Sequence, residues 1–238
     1  MSRKITEHLS AADPVLRELI AAAGPYRLRC DAAVPPFQIL ARAIAHQQLN
    51  GTAADTILGR FIDKFGPGGF PTPDTVLAAE DAELRAVGFS FAKIAALKDL
   101  AVKTQSGIVP ERRALIALDS EEIIARVTQV RGIGRWTVEM MLMFHLERPD
   151  VLPVDDFGIR NGFRLAYGLR RLPAPRALAA YGQRWAPHRT AAAWYLWRAV
   201  DLHKDGKLPE PCARIRLPRI ARARRKKRST KRRARAHR

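Results

Sequence analysis

Residues 129–137 read QVRGIGRWT and residues 152–160 read LPVDDFGIR, and these two stretches decide what the chain predicts about its fold. The first is typical of a helix end, a tight Gly-x-Gly hairpin and a second helix, continued by an apolar run from Val138 to Leu146. Glycines are needed at 132 and 134 because the backbone must take positive φ angles and approach a ligand closely. Free N–H groups at the start of the second helix, with its dipole, favour a phosphate oxygen.

The second stretch places two carboxylates, Asp155 and Asp156, shortly after Pro153 at the first turn of another predicted helix. Taken alone, such an aspartate is most simply a helix cap. Combined with the hairpin it has a second interpretation, because a phosphate anchor and a carboxylate at fixed separation are what an enzyme needs to act on a sugar carbon of a nucleic acid. The residues predicted to contact the phosphate are Arg131, Gly132, Gly134 and Arg135.

Further motifs accompany the hairpin and the aspartate in a fixed order. They read IAHQQL at 44–49, VGFSFAK at 87–93, and WAPHR at 185–189 followed by WYLWR at 194–198. With them the chain, over about residues 30–203, resembles the helix-hairpin-helix superfamily of DNA base-excision glycosylases, and most closely its 3-methyladenine DNA glycosylase II type. The resemblance implies an all-α domain over residues 1–211, with two helical lobes around a cleft that the hairpin and Asp156 line.

The resemblance assigns catalysis to Asp156, with Asp155 as a neighbour that orients it or contacts the loop, although counting from Pro153 could select Asp155 instead. Methylation at N3 or N7 leaves a purine cationic, so the base departs readily and the transition state resembles an oxocarbenium ion at C1′. A single carboxylate can stabilise that charge and orient or deprotonate water, without strong general-acid help. The function implied is hydrolysis of the N-glycosidic bond of alkylated purines in duplex DNA, for base excision repair.

Trp136 argues against a lyase activity. Relatives with lyase activity carry a lysine at this hairpin position, where its amine forms a Schiff base with C1′. An indole cannot do so, and we therefore predict a monofunctional hydrolase that leaves an abasic site in an intact strand.

Aromatic side chains suit a cationic purine, which stacks favourably on an indole face. The resemblance places Trp136 and Trp197 in the base pocket, whereas the alternative for either is ordinary packing in the helix core. Met140 stands one turn beyond Trp136 on the same face and would make the pocket softer or wider. Trp194 and Tyr195 are predicted to belong to the core.

A base cannot be hydrolysed while stacked, so the enzyme must flip it out and fill the gap with a wedge. The resemblance places this wedge near residue 48, with Gln48 or Leu49 as the candidates. His46 is either functional or a structural histidine. Lys93 and Arg189 could reach the DNA backbone or be ordinary solvated charges.

The formal charge of +19 is unevenly distributed along the 238 residues. Residues 212–238 hold 14 of the 42 Lys and Arg and no acid, which leaves 28 basic against 23 acidic residues, or +5, for the rest. This segment is too poor in apolar residues to fold alone and is predicted to be a disordered tail that attracts a polyanion independently of sequence. RNA, a membrane surface or no specific partner are the alternatives.

Only two cysteines occur, Cys30 and Cys212, which argues for a reducing compartment and excludes a four-thiolate iron–sulfur cluster. There is no secretory apolar region and no stretch long enough to span a bilayer. We expect an intracellular monomer that binds double-stranded DNA, in the cytoplasm with the nucleoid or in a nucleus. No cofactor or protein metal site is expected, although the family's hairpin carbonyls often share a monovalent cation with the phosphate.

Apolar residues recur at helical spacing nearly throughout, and no run of strands is evident. Ser120, with Glu121 and Glu122 behind it, is a good predicted helix start. The helices predicted are 13–23, 36–46, 52–65, 74–79, 82–87, 91–104, 120–130, 135–145, 157–167, 175–185 and 188–202.

Two other functions stay open. A DNA-binding protein without turnover could keep the hairpin and the tail, but pure binding gains nothing from an acid near phosphates. A glycosylase for a deaminated or mismatched base would keep the same site, and the sequence does not rank such lesions against alkylated purines.

Overall fold

The computed structural model describes residues 2–212 and 217, and within them the regular structure is entirely helical. The predicted all-α class is confirmed. The predicted disordered tail, 212–238, lies outside the described residues except for Cys212 and Leu217. The helices are α1 (Ser2–Ala12), α2 (Pro14–Ala23), α3 (Pro36–His46), α4 (Gly51–Phe65), α5 (Pro73–Ala78), α6 (Asp81–Ala86), α7 (Phe91–Gln105), α8 (Arg112–Ala117), α9 (Ser120–Val127), α10 (Arg135–Phe144), α11 (Phe157–Ala166), α12 (Pro175–Tyr181) and α13 (Arg189–Lys204), with a 3-10 turn (Gly182–Trp185) after α12.

Helix starts follow from capping side chains. Asp13 accepts from the N–H groups of the first turn of α2, and Asn50 accepts from Ala53 N in α4. The predicted start of α9 at Ser120 is confirmed, and Asp119 is its cap and accepts from Glu122 N at 2.8 Å. That helix ends at Val127 rather than residue 130, since the chain already turns there into the hairpin.

Two helices, α1 and α8, were not predicted from the sequence. Helix α1 has no acid in its first turn, and Leu9 is its one fully buried large apolar residue. Helix α8 is six residues long and buries Leu115. Both present too little apolar periodicity to stand out, and they form because the rest of the fold buries Leu9 and Leu115.

The helices form two lobes, as the resemblance implies. Helices α3–α7, α9 and α10 pack mainly with one another, whereas α1, α2 and α11–α13 form the second lobe. The segments at 24–35 and 145–156 connect the lobes and hydrogen-bond to each other, since His145 Nδ1 lies 2.9 Å from Asp31 O. The 145–156 segment then delivers Asp156 to the start of α11.

A fully buried carboxylate fastens the second lobe. Asp13 Oδ2 accepts from Tyr167 Oη at 2.7 Å and from Trp185 Nε1 at 3.0 Å, while Oδ1 accepts from Val15 N. Burial, followed by the Asp13 charge, raises the pKa of Tyr167 well above its ordinary value, so its hydroxyl stays a donor. One acidic side chain thus joins α2 to α11 and the 3-10 turn.

Candidate active site

Asp156 is the N-cap of α11, and three hydrogen-bond donors orient its carboxylate. Oδ1 accepts from Ile159 N at 2.7 Å and from Trp197 Nε1 at 3.0 Å. Oδ2 accepts from Trp136 Nε1 at 2.8 Å. A capping aspartate needs only the first of these bonds, so the two indole donors go beyond what a helix cap requires.

The two tryptophans come from different lobes and meet at this carboxylate. Trp136 lies in the first turn of α10 and is 49% exposed, which leaves part of its indole open to a ligand. Trp197 lies on α13, is half-buried, and stacks on Phe144 with ring centroids 5.9 Å apart. Both tryptophans predicted for the pocket therefore lie beside Asp156, although Trp197 also packs against the core.

Two glycines of α11 make the approach of Trp197 possible. A Cβ at Gly158 would lie 2.9 Å from Trp197 Cδ1, and one at Gly162 would overlap the carbonyl of Leu196. The missing side chains let α11 and α13 pack closely, as glycines at helix contacts do. Sequence reasoning missed this, although the Gly-x-x-x-Gly spacing at 158 and 162 was visible.

The hairpin has the predicted shape with one correction. Gly132 adopts φ +77°, a left-handed conformation that favours glycine. Gly134 is instead extended, with φ −95°, and caps α10. A Cβ at Gly134 would meet nothing within 4 Å, so the space around the start of α10 is open there.

Side chains of α7 hydrogen-bond to the backbone of the hairpin. Asp99 Oδ2 accepts from Arg131 N at 2.6 Å and from Lys103 Nζ at 2.6 Å, and Lys103 also donates to Gln129 O at 2.7 Å. Burial disfavours the charged Asp99, but these donors outweigh it and lower its pKa. These supports were not predicted, because about 30 residues separate them from the hairpin.

Comparison with known proteins decides the family. Residues 41–188 match the HhH-GPD superfamily of base excision DNA repair proteins. The chain belongs to this superfamily. Over 196 residues it is 43% identical to DNA-3-methyladenine glycosylase 1 of Schizosaccharomyces pombe, covering 82% of this chain and 86% of the relative.

Two solved structures are similar as well. The S. pombe 3-methyladenine DNA glycosylase in complex with abasic DNA has a TM-score of 0.72 at 42% identity, covering 82% of this chain and 95% of that one. A DNA-3-methyladenine glycosidase from Bacillus halodurans has a TM-score of 0.77 at 33% identity, covering 84% and 91%. The HhH-GPD match includes the hairpin and Asp156, whereas Trp197 lies beyond its end.

Of the two neighbouring carboxylates in this HhH-GPD site, only Asp156 is held in place. Asp155 is exposed and makes no hydrogen bond within the described residues. Its charge instead helps to raise the pKa of Glu139, after the larger effect of burial. No hydrogen bond therefore supports the predicted role of Asp155 in orienting Asp156.

The two hairpin arginines differ in availability. The exposed Arg131 side chain forms no salt bridge within residues 2–212. Arg135 donates to Glu121 at 2.9 Å and to Glu139 at 2.9 Å, so two carboxylates already balance its charge. Arg131 is thus the better placed of the two predicted phosphate contacts.

The predicted pocket and wedge residues are partly accessible. Met140 is half-buried against the core, one turn beyond Trp136. Leu49 is 41% exposed, and Gln48 is exposed with φ 57°. Trp194 and Tyr195 lie against Tyr26, and Tyr195 is fully buried, in line with the predicted core role.

Three further polar residues have structural partners. His46 Nε2 lies 3.3 Å from Asp55 Oδ1 on the surface. Lys93 Nζ donates to Ala45 O at 2.6 Å, and Arg189 forms a paired salt bridge with Asp150. Lys93 and Arg189 therefore link parts of the fold.

The described residues contain no group of three or more His, Cys, Asp or Glu that could hold a metal ion. None of their helices is long and apolar enough to cross a membrane.

Proposed function

We propose that this HhH-GPD protein is a monofunctional DNA glycosylase that hydrolyses the N-glycosidic bond of alkylated purines in duplex DNA. The observation that carries the proposal is the carboxylate of Asp156, oriented by indole N–H groups from both lobes. The relatives named for 3-methyladenine removal support the substrate class.

The hydrogen bonds at Asp156 indicate how it acts. A carboxylate has about four acceptor positions, and three are used here, two on Oδ1 and one on Oδ2. The remaining position on Oδ2 is available to the attacking water. The same negative charge stabilises the positive charge that develops at C1′ as the base departs.

The leaving group needs little help, which fits a site with one oriented carboxylate. A purine alkylated at N3 or N7 is already cationic, and the half-exposed indole of Trp136 offers a face on which it stacks. Trp197 bounds the same space from the other lobe, and Met140 contributes an adaptable apolar wall.

The proposal excludes strand cleavage through a Schiff base. Trp136 has no amine, and the two lysines of α7 described above are engaged elsewhere. Lys93 donates to Ala45 O, and Lys103 bridges Asp99 and Gln129 O.

The hairpin would bind a phosphate of the damaged strand through the open start of α10 and Arg131. The carbonyl oxygens of Thr128, Arg131 and Ile133 accept no hydrogen bond from the described residues, so neutral oxygen ligands are available to a monovalent cation. Such a cation would add positive charge beside the phosphate. We propose further that the protein acts as a monomer on double-stranded DNA in the compartment that holds the genome.

Incubation of the purified protein with methylated duplex DNA tests the proposal. We expect free 3-methyladenine or 7-methylguanine by chromatography, an uncut strand with abasic sites, and no covalent adduct after borohydride. Absence of released base would favour a binding protein, release of hypoxanthine alone would favour a deaminated-base glycosylase, and a trapped adduct would refute monofunctional chemistry.

A further inference from the structure

A side-chain hydrogen bond joins two loops that the proposed mechanism uses separately. Gln47 Nε2 donates to Gly132 O at 2.8 Å, across 85 positions of sequence. Gln47 directly precedes the wedge candidates Gln48 and Leu49, and Gly132 is the left-handed glycine of the hairpin. We call residues 47–50 the wedge loop. The bond connects this loop to the segment that binds phosphate.

The wedge loop is fixed at its far end, where Asn50 caps α4, but the backbone bonds of residues 47–49 are weak. Its own backbone bonds are long, since Gln47 N lies 3.4 Å from Ile44 O and Leu49 N lies 3.4 Å from His46 O. Gln48 adopts φ 57°, which is uncommon for a residue other than glycine and persists only where surrounding contacts enforce it. The short bond from Gln47 is such a contact.

Overall stability does not require this bond. Gln47 is half-buried and Gly132 is exposed, so without the bond both polar groups can hydrogen-bond to water. The bond therefore contributes mainly to geometry, by fixing the distance between the loop and the hairpin.

We propose that Gln47 is a positioning residue that makes the wedge loop and the hairpin one unit, so that binding of the phosphate places the wedge beside the target base. The inference rests on the proposed function. It implies that Gln47 matters most when the base is well paired, because extrusion of an unpaired base costs less and needs less help from a wedge.

The test uses two variants of the full-length protein and one control. Gln47→Ala removes the amide, and Gln47→Glu keeps its size but replaces the donor with an acceptor. Gln38→Ala removes an amide from α3, the helix that Gln47 directly follows, at a position that lines a surface cavity with Gly66 and Phe70 instead. Thermal unfolding of all three should stay close to that of the wild type.

Single-turnover base release is then measured on two duplexes, with 7-methylguanine opposite cytosine or opposite an abasic-site analogue. We expect both Gln47 variants to slow release opposite cytosine by about 5-fold, the scale of one net hydrogen bond, and by less than about 2-fold opposite the abasic site. Gln38→Ala should match the wild type on both.

Equal slowing on the two duplexes, or none on either, would overturn the inference while the proposed function stands. A wild-type protein that releases no 7-methylguanine from either duplex, and no 3-methyladenine from methylated DNA, would instead refute the proposed function, and the inference with it.

Discussion

At the scale of single residues, the decisive feature is the difference between Asp155 and Asp156. The side chains are adjacent in sequence, yet one receives three hydrogen bonds and the other receives none within the described residues. Two carboxylates that are adjacent in sequence are thus held very differently by the fold.

We therefore expect Asp156→Asn to slow base release by roughly 10²- to 10⁴-fold, the usual contribution of a positioned acid or base. Binding of abasic DNA should change little, because the carboxylate acts on the transition state rather than on docking. Single-turnover kinetics and a binding titration measure the two effects. Asp155→Asn is the matched control and should retain activity; the reverse result would show that Asp155 is the catalytic carboxylate.

At the scale of helices, the contact between α11 and α13 positions Asp156, the proposed catalytic residue. Gly162 lies against the Leu196 carbonyl, and the next residue along α13 is Trp197. Any side chain at 162 would force the helices apart and carry the Trp197 indole away from Asp156.

Gly162→Ala should thus destabilise the protein by about 1–3 kcal/mol, the usual cost of overpacking, and should reduce activity even where the protein remains folded. Gly59→Ala is the control, since Gly59 lies inside α4 with nothing within 4 Å of its Cβ position. That change should stabilise the protein slightly, because alanine is the better helix former. Urea unfolding and base release on both variants distinguish a local packing effect from a general one, and a Gly162→Ala protein as stable and active as the wild type would contradict the argument.

The helices also show how much of the structure could be predicted from the sequence. The positions of eleven helices could be predicted from apolar spacing and cap residues, because both are local signals. Asp156 and Trp136 could be chosen as candidate site residues from the motifs that contain them. The bond from Gln47 to Gly132, the support of Arg131 by Asp99, and the buried Asp13 network were not predictable, since each joins residues distant in sequence without any periodic pattern.

At the scale of the whole molecule, most of the formal charge of +19 comes from residues that follow Leu217 in the sequence. Leu217 still packs against the core, so a truncation after this residue keeps that packing and removes 12 of the 42 basic residues. We expect such a protein to fold and to retain its single-turnover rate. Its binding to undamaged duplex should be weaker, and the slope of its salt dependence should fall by ~0.9 for each phosphate that the protein no longer neutralises. Binding isotherms at several salt concentrations measure this, and an unchanged slope would show that the segment does not contact DNA.

The two indole donors at Asp156 come from opposite lobes, Trp136 from α10 and Trp197 from α13. On the proposed mechanism, catalytic competence is therefore a property of the assembled molecule, and a partial opening that separates the lobes should abolish it while every helix remains intact. Such sub-global openings cost less free energy than complete unfolding, so inactivation by heat or denaturant should precede the loss of helical structure. A duplex that bridges the lobes opposes that opening by mass action, which makes the enzyme most resistant while it is bound to its substrate.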